Sequence, residues 1–391
     1  ALSVEVDKKD PESDTSALGC VFSGSWTLLS LPLWIAAFAL LAVSTMWTSR
    51  LFAIALICLL PIPLNLLHWR RTSRKVVAGL LLVTGSSALL VCKQQAQKAP
   101  STQGAAACRV HHENVSGLFG VSNLVAEVDQ FALRSYVMAA TNPDLSWQRA
   151  SDLRRITNDL YRDLSLDPQL SSLPSLLGST YREMLGLKSS PGPLFTYIPS
   201  SSSSGPPGKK IAIVLLHGSL GNFQGSWLLW KKLADSTGVA IVAPTFATGK
   251  WSQEGGRAAI AQAREFCIQH PDIDEERLVL AGISEAGIGV LHEAAVAPRE
   301  WEKLLLISPL IEQQNINSQS FIDGWRDRQV MIITGEQDTS ASGKSIRAAQ
   351  ATMESFEMRP TTHYLSSSEP FLFLLEWSSI QKLIQPWLVK P

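Results

Sequence analysis

From Trp26 to Trp47 the chain runs for 22 residues without a charged side chain. At about 1.5 Å of rise per residue, a helix of that length crosses a hydrocarbon core of about 30 Å. Two more apolar runs follow, Leu51 to Leu67 and Val76 to Cys92, each of 17 residues, the short end of a span. Backbone groups in lipid must be bonded within their own segment, so the runs are expected to be helices, with Pro61 and Pro63 bending the second. A signal peptide is the rival reading of the first run. That run is too long for a typical apolar signal core, and others follow it. Residues 25–93 are therefore expected to be an anchor of two or three transmembrane helices, with the lipid bilayer as a partner. The composition agrees, at 46% hydrophobic and 17% charged residues against roughly 25% charged in an ordinary soluble domain.

Between the second and third runs lie Arg70, Arg71, Arg74 and Lys75. Such loops stay on the cytoplasmic-type side. With three spans the amino terminus shares that side, and everything after Cys92 lies on the other, non-cytoplasmic or lumenal face. Asn114-Val115-Ser116, the one glycosylation sequon, fits an outward segment. Residues 1–24 are polar without apolar period and read as a flexible tail. A start at Ala1 fits prior removal of a targeting peptide. The 34 basic and 34 acidic residues cancel, which argues against a nucleic-acid partner. Five cysteines (Cys20, Cys58, Cys92, Cys108, Cys267) form no C-x-x-C pair, against a disulfide scaffold or a cysteine zinc site.

Residues 94–118, rich in Gln, Ala and Ser, read as a linker. Its His111 and His112 point in different directions and are expected to be solvated rather than metal-binding; no metal or cofactor is implied. Residues 119–188 carry helical periodicity, Val121, Leu124, Val125, Val128 and Ala132, then Leu153, Ile156, Leu160 and Leu164. They form a helical segment and a possible lid. From about residue 189 to 391, short β-branched runs alternate with helical stretches, the pattern of an α/β domain with a doubly wound, mostly parallel sheet. Strands are expected near 194–198, 211–216, 239–243, 278–281, 303–307, 330–334 and 357–361. Ligands of such sheets sit at the carboxyl ends of the strands.

At those ends stand Gly282-Ile283-Ser284-Glu285-Ala286, His217-Gly218-Ser219-Leu220, Gly335-Glu336-Gln337-Asp338 and, about 25 residues later, His363. The set resembles the α/β-hydrolase superfamily, esterase- and lipase-like members included, over about half the chain: a nucleophile elbow, an H-G loop, and the order Ser, Asp, His. The resemblance implies Ser284 as nucleophile, His363 as base and Asp338 as its orienting acid, with Glu312 a rival acid. It implies an oxyanion hole from the backbone N–H of Glu285 and of Ser219 or Leu220, supported by His217 and Gly218. Ala286 departs from the motif's second glycine, and the large cap of many members is missing. His292, His270 and Cys267 read as packing or loop residues.

The resemblance implies a membrane-anchored serine hydrolase of carboxylic esters or thioesters working through an acyl-enzyme. Apolar residues near the expected mouth (Leu220, Phe223, Trp227, Trp251) favour small acylated or lipid-like substrates. A peptidase on the same triad is a variant of this reading. The alternative is a catalytically silent hydrolase fold serving as a subunit or docking module of a membrane protein complex. A channel is disfavoured, because the spans hold no charge to line an ion path.

Overall fold

The computed structural model describes residues 11–67, 72–97, 108–111, 121–141, 146–171, 173–187, 190–200, 208–336, 342–366 and 372–389. The chain divides into two compact units, residues 1–97 with 124–133, and residues 98–123 with 134–391.

In the first unit, α1 (Pro11–Val43), α2 (Trp47–Leu59), α3 (Ile62–Leu67) and α4 (Thr72–Gln97) follow one another. Stretches Val21–Val43, Trp47–Asn65 and Ser73–Gln95 are long and apolar enough to cross a membrane. Helix α1 starts at Pro11, so the described part of the expected tail, from residue 11 on, is helical. Pro61 and Pro63 break the second run between α2 and α3, because proline removes a ladder N–H and its ring clashes with the turn before it. The Trp26 indole donates to Leu60 O at this break (2.9 Å).

The turn between α1 and α2 is held by a side chain far along the chain. Asp129 is fully buried. One of its oxygens accepts from Thr45 N (2.6 Å) and Thr45 Oγ1 (3.0 Å), the other from Met46 N (3.2 Å). A carboxylate there also meets the positive end of the α2 dipole. Ser49 Oγ accepts from Ala126 N at 3.0 Å, and the Arg50 guanidinium donates to Ser44 O at 3.0 and 2.8 Å.

Beyond α4 along the chain, β1 (Cys108–His111) is followed by α5 (Val121–Leu124), α6 (Glu127–Thr141), α7 (Trp147–Leu166) and α8 (Gly178–Met184), then by β2 (Leu194–Tyr197), β3 (Lys210–Leu216), α9 (Gln224–Thr237), β4 (Ala240–Ala243), α10 (Glu254–Gln269), β5 (Ile273–Ile283), α11 (Ala286–Val296), β6 (Lys303–Ile307), α12 (Gln313–Ile316), α13 (Gln319–Trp325), β7 (Gln329–Gly335), α14 (Gly343–Ser355), β8 (Arg359–Leu365), α15 (Leu372–Leu375) and α16 (Trp377–Val389). Helices α5 and α6 pass between the units: 124–133 group with the span bundle, and the rest of the helical segment with the sheet. The eight-stranded sheet has the order β1-β2-β4-β3-β5-β6-β7-β8. β1 and β2 are antiparallel; the rest are parallel. The expected mostly parallel, doubly wound sheet is thus present. The linker hides one strand, since Cys108–His111 pair with β2 at the edge, four residues being too few for a readable period.

One sheet face, including Val214, Leu280, Leu306 and Ile332, packs with α10, α11 and α14 residues Ile260, Val290 and Ile346 in a single core. The opposite face carries Lys303, 2% exposed, whose ammonium donates to Trp387 O and Leu388 O at the end of α16 (both 3.3 Å). Those acceptors are the orphan carbonyls of a helix carboxyl end, where a cation is favoured.

Asp129→Ala is expected to lower the stability of the span bundle by about 1–2 kcal/mol, the range for loss of a helix-start acceptor. Asp129→Asn, which keeps one acceptor oxygen, loses less. Unfolding of the full chain in mixed micelles by rising denaturing detergent measures both; equal midpoints for wild type and Asp129→Ala contradict the assignment.

Candidate active site

Strand β5 delivers Ser284 to the carboxyl edge of the sheet, and the next residues turn at once into α11. Ser284 has φ +56°, a left-handed conformation that costs a non-glycine residue about 1 kcal/mol or more. The surroundings impose it. Ser284 N donates to Ile307 O on β6 (2.9 Å), and its carbonyl accepts from Gly287 N (2.9 Å) and Leu310 N (3.0 Å). Glycines make the turn possible: a Cβ at Gly282 would sit 2.6 Å from Val290 Cγ2, and one at Gly287 would sit 2.5 Å from Pro309 Cβ. Ala286 is fully buried. The steric demand therefore falls on 282 and 287, and the alanine at 286 leaves the elbow intact.

The H-G loop presses against this turn. A Cβ at Gly218 would lie 2.8 Å from Ile283 O and 3.3 Å from Ser284 Cβ. His217 is 5% exposed; its Nε2 accepts from Phe246 N (3.1 Å), which leaves the proton on Nδ1 to donate to Gly218 O (2.8 Å). Burial pushes its pKa down to about 4, against the opposing effect of the Gly218 bond. His217 is thus a neutral brace. Asn222 Nδ2 ties the loop to the end of β4 through Ala243 O (3.1 Å) and Thr245 Oγ1 (2.9 Å). Among the described residues, the backbone N–H groups of Ser219, Leu220 and Glu285 donate to no protein acceptor. Donors beside a strained serine are what an oxyanion site requires.

A second brace comes from α8, which the sequence did not reveal. Thr180 Oγ1 donates to Ala247 O (2.7 Å). The Glu183 carboxylate accepts from Thr248 N (2.8 Å) and pairs with the Lys250 ammonium (3.0 Å). Burial alone would raise the Glu183 pKa, but the bonds from Thr248 and Lys250 outweigh it and hold the group below its usual range. The loop so held carries Gly249 (φ +90°), whose absent Cβ lets it lie against His217 O and Gly218. Arg134 donates to Leu220 O (3.3 Å). Arg134 and helix α8 therefore buttress the loops around Ser284. Glu285 faces the same charges: burial raises its pKa, Lys250 opposes this and Glu183 adds to it.

The structure describes one of the two expected partners of the serine. Asp338 lies outside the described residues. His363 lies inside β8, paired with Ile333, in the row Ile283–Ile307–Ile333–His363 across four parallel strands. At about 4.8 Å per strand, the Ile283 and His363 Cα atoms are roughly 14 Å apart. Hydrogen-bond reach is about 2.6–3.2 Å, well below that row separation. Residues in one register row share a face, so His363 points to the side where Lys303 meets α16. Burial lowers its pKa. The expectation that the last strand ends near Thr361 is corrected: Thr361, Thr362 and Tyr364 favour strand and carry β8 on to Leu365.

No histidine replaces it among the described residues. His111 bonds Thr196 Oγ1 in the edge strand (2.9 Å), His270 follows α10, and His292 sits within α11 with its Nε2 buried. Phe223, Trp227 and Trp251, expected at the mouth, are buried packing residues; Trp251 donates to His217 O (2.8 Å). Glu312, the rival acid, accepts from Gln314 (2.9 Å). A cavity of about 490 Å³ lined by Arg264, Trp301, Lys303 and Arg328 lies at the amino ends of β6 and β7, the edge away from Ser284. Among the described residues no three metal-ligating side chains cluster.

Strand order, elbow and H-G loop together define an α/β-hydrolase fold carried behind three apolar helices. No protein-family model and no curated protein matches the chain. Among solved structures, it is similar to an S-formylglutathione hydrolase (FrmB) of Staphylococcus aureus (14% identity, TM-score 0.41, 51% of this chain and 90% of that one). It is also similar to an esterase of Thermogutta terrifontis (17%, 0.40, 50% and 89%) and to a putative dipeptidyl aminopeptidase IV of Bacteroides ovatus (12%, 0.41, 51% and 35%). These are low-identity similarities of half a chain, and the chemistry of the site is read from its own geometry.

Two outcomes follow. Ser284→Gly is expected to be about 1 kcal/mol more stable than Ser284→Ala, because only glycine accepts φ +56° without strain; equal denaturant midpoints contradict this. In the unfolded chain a histidine titrates near 6.5, and folded His217 near 4. Between those values the unfolded state takes up the proton first, so stability falls as pH drops from about 7 to about 4, by on the order of 3 kcal/mol, and then levels off. His363 adds in the same direction. His217→Gln, less stable at pH 7, is expected to lose most of that slope, and an unchanged slope sinks the assignment.

Proposed function

We propose that this chain is a membrane-anchored α/β-hydrolase-fold protein whose Ser284 elbow receives an acyl carbonyl but lacks the proton relay needed for enzymatic turnover. The sheet domain then serves as a binding or docking module of a membrane protein complex. The observation that carries this reading is the place of His363 in the β8 ladder, opposite Ile333. Among the described residues no base is bonded to Ser284, and a serine hydroxyl that keeps its proton is a weak nucleophile; in a serine protease, loss of the triad histidine costs on the order of 10⁶ in kcat.

A second reading has its own support in the strained Ser284 and the uncommitted N–H groups of Glu285, Ser219 and Leu220. In it the chain is a serine hydrolase of carboxylic esters or thioesters, of lipid-like or acylated substrates, and the end of β8 leaves the ladder to bring His363 and Asp338 to Ser284.

For the anchor we take α1, α2 with α3, and α4 as three crossings. The Thr45–Asp129 bonds support one side for the α1–α2 turn and the segment after α4, as two intervening crossings require. The cationic loop around Arg70 to Lys75 then faces the cytoplasmic-type side with the amino terminus, and the sheet domain the opposite, non-cytoplasmic or lumenal side.

Labelling of the full chain with a fluorophosphonate probe separates the two readings. The docking reading expects labelling no faster than that of Ser284→Ala, and no change with His363→Ala. Rapid labelling abolished by both variants establishes the hydrolase instead.

A further inference from the structure

Helix α8 ends in an ordered turn with an apolar tip. Gly186 N donates to Glu183 O (2.8 Å) and Leu187 N to Arg182 O (3.0 Å), with Gly186 at φ +74°, a helix-ending pattern of doubled backbone bonds around a left-handed glycine. The turn is rigid, yet it presents Met184, Leu185 and Leu187 at 63%, 78% and 52% exposure. Arg134 on α6 packs over the Tyr181 ring (5.2 Å) and reaches Met184 Sδ (3.9 Å). Val137, one turn further on the same face of α6, is 55% exposed. Exposed apolar side chains thus stand near the two cations Arg134 and Arg182.

Single exposed apolar residues are ordinary, but a cluster on a hydrogen-bonded tip rimmed by basic side chains is the pattern of a membrane-contacting surface. We propose that this tip inserts into the headgroup boundary of the bilayer in which the chain's own spans sit. Two facts favour lipid over another occupant. The chain already carries three helices long and apolar enough to cross a membrane. The flanking guanidinium groups complement lipid phosphates. The tip then fixes the height of the Ser284 edge above the membrane, because α8 is bonded through Thr180 and Glu183 to the loop beside Gly218. Acylated ligands would reach the elbow from the lipid side.

The proposal rests on the spanning reading of the anchor, and the test separates the two. The full chain is reconstituted in nanodiscs with a fluorophore at Leu185→Cys, at Leu166→Cys, which is 77% exposed at the far end of α7, or at Leu80→Cys in the third span. Quenching is compared between doxyl-labelled lipid and aqueous iodide. The expected result is lipid quenching at 80 and 185, with iodide quenching at 166. Iodide quenching at 185 as strong as at 166, with 80 still lipid-quenched, overturns the tip insertion alone. Loss of lipid quenching at 80 overturns the spanning reading. Self-quenching at 185 only in discs holding two copies would show the patch to be an interface between copies, and overturn the lipid assignment.

Discussion

The hydrogen-bond ladder joining β5, β6, β7 and β8 decides what every candidate side chain can do. Parallel strands in register align residues in rows, and one row step separates Ile283 from Ser284 and His363 from Tyr364. At β5 the ladder ends in a turn tight enough to hold a serine at φ +56°. At β8 it continues to Leu365 and keeps His363 within the strand. The same kind of backbone bonding that brings Ser284 to the rim holds His363 in the ladder.

On the proposed reading, the surroundings of the serine serve recognition of a carbonyl. Unspent N–H groups, a neutral buried histidine and an elbow kept under strain are features that a pure scaffold has no folding reason to retain. Stabilising a developing oxyanion, however, is only half of acyl transfer; the serine proton needs a destination. The braces from α8 tighten the first half without supplying the second. On that reading the elbow holds an acyl group in a defined pose and leaves its bond uncut.

Much of this was legible in the residues. The apolar runs, the alternation of strands and helices after residue 209 and the G-x-S-x-A and H-G signatures come from period and local sterics, and the strands and elbow form where those signals stand. The position of His363 was not legible, because it depends on where an edge strand stops; two threonines and a tyrosine extend β8 by four residues beyond the expected end. Nor could the sequence show Asp129 at the α1–α2 turn or Glu183 beneath the Gly249 loop. Both are long-range acceptors for backbone N–H groups, and a lone carboxylate carries no local mark of such a role. Ala286, which departs from the motif's second glycine, is accommodated because the close packing against Pro309 moves the glycine requirement to Gly287.

Amide hydrogen exchange over residues 361–365 of the full chain in nanodiscs tests the central point most directly. If the ladder extends through His363, the bonded amides there exchange at rates comparable to those of β7 residues 330–334. Exchange at the rate of an open loop would mean that the imidazole is free to swing to the serine, and the case for a relay-deficient domain would fail.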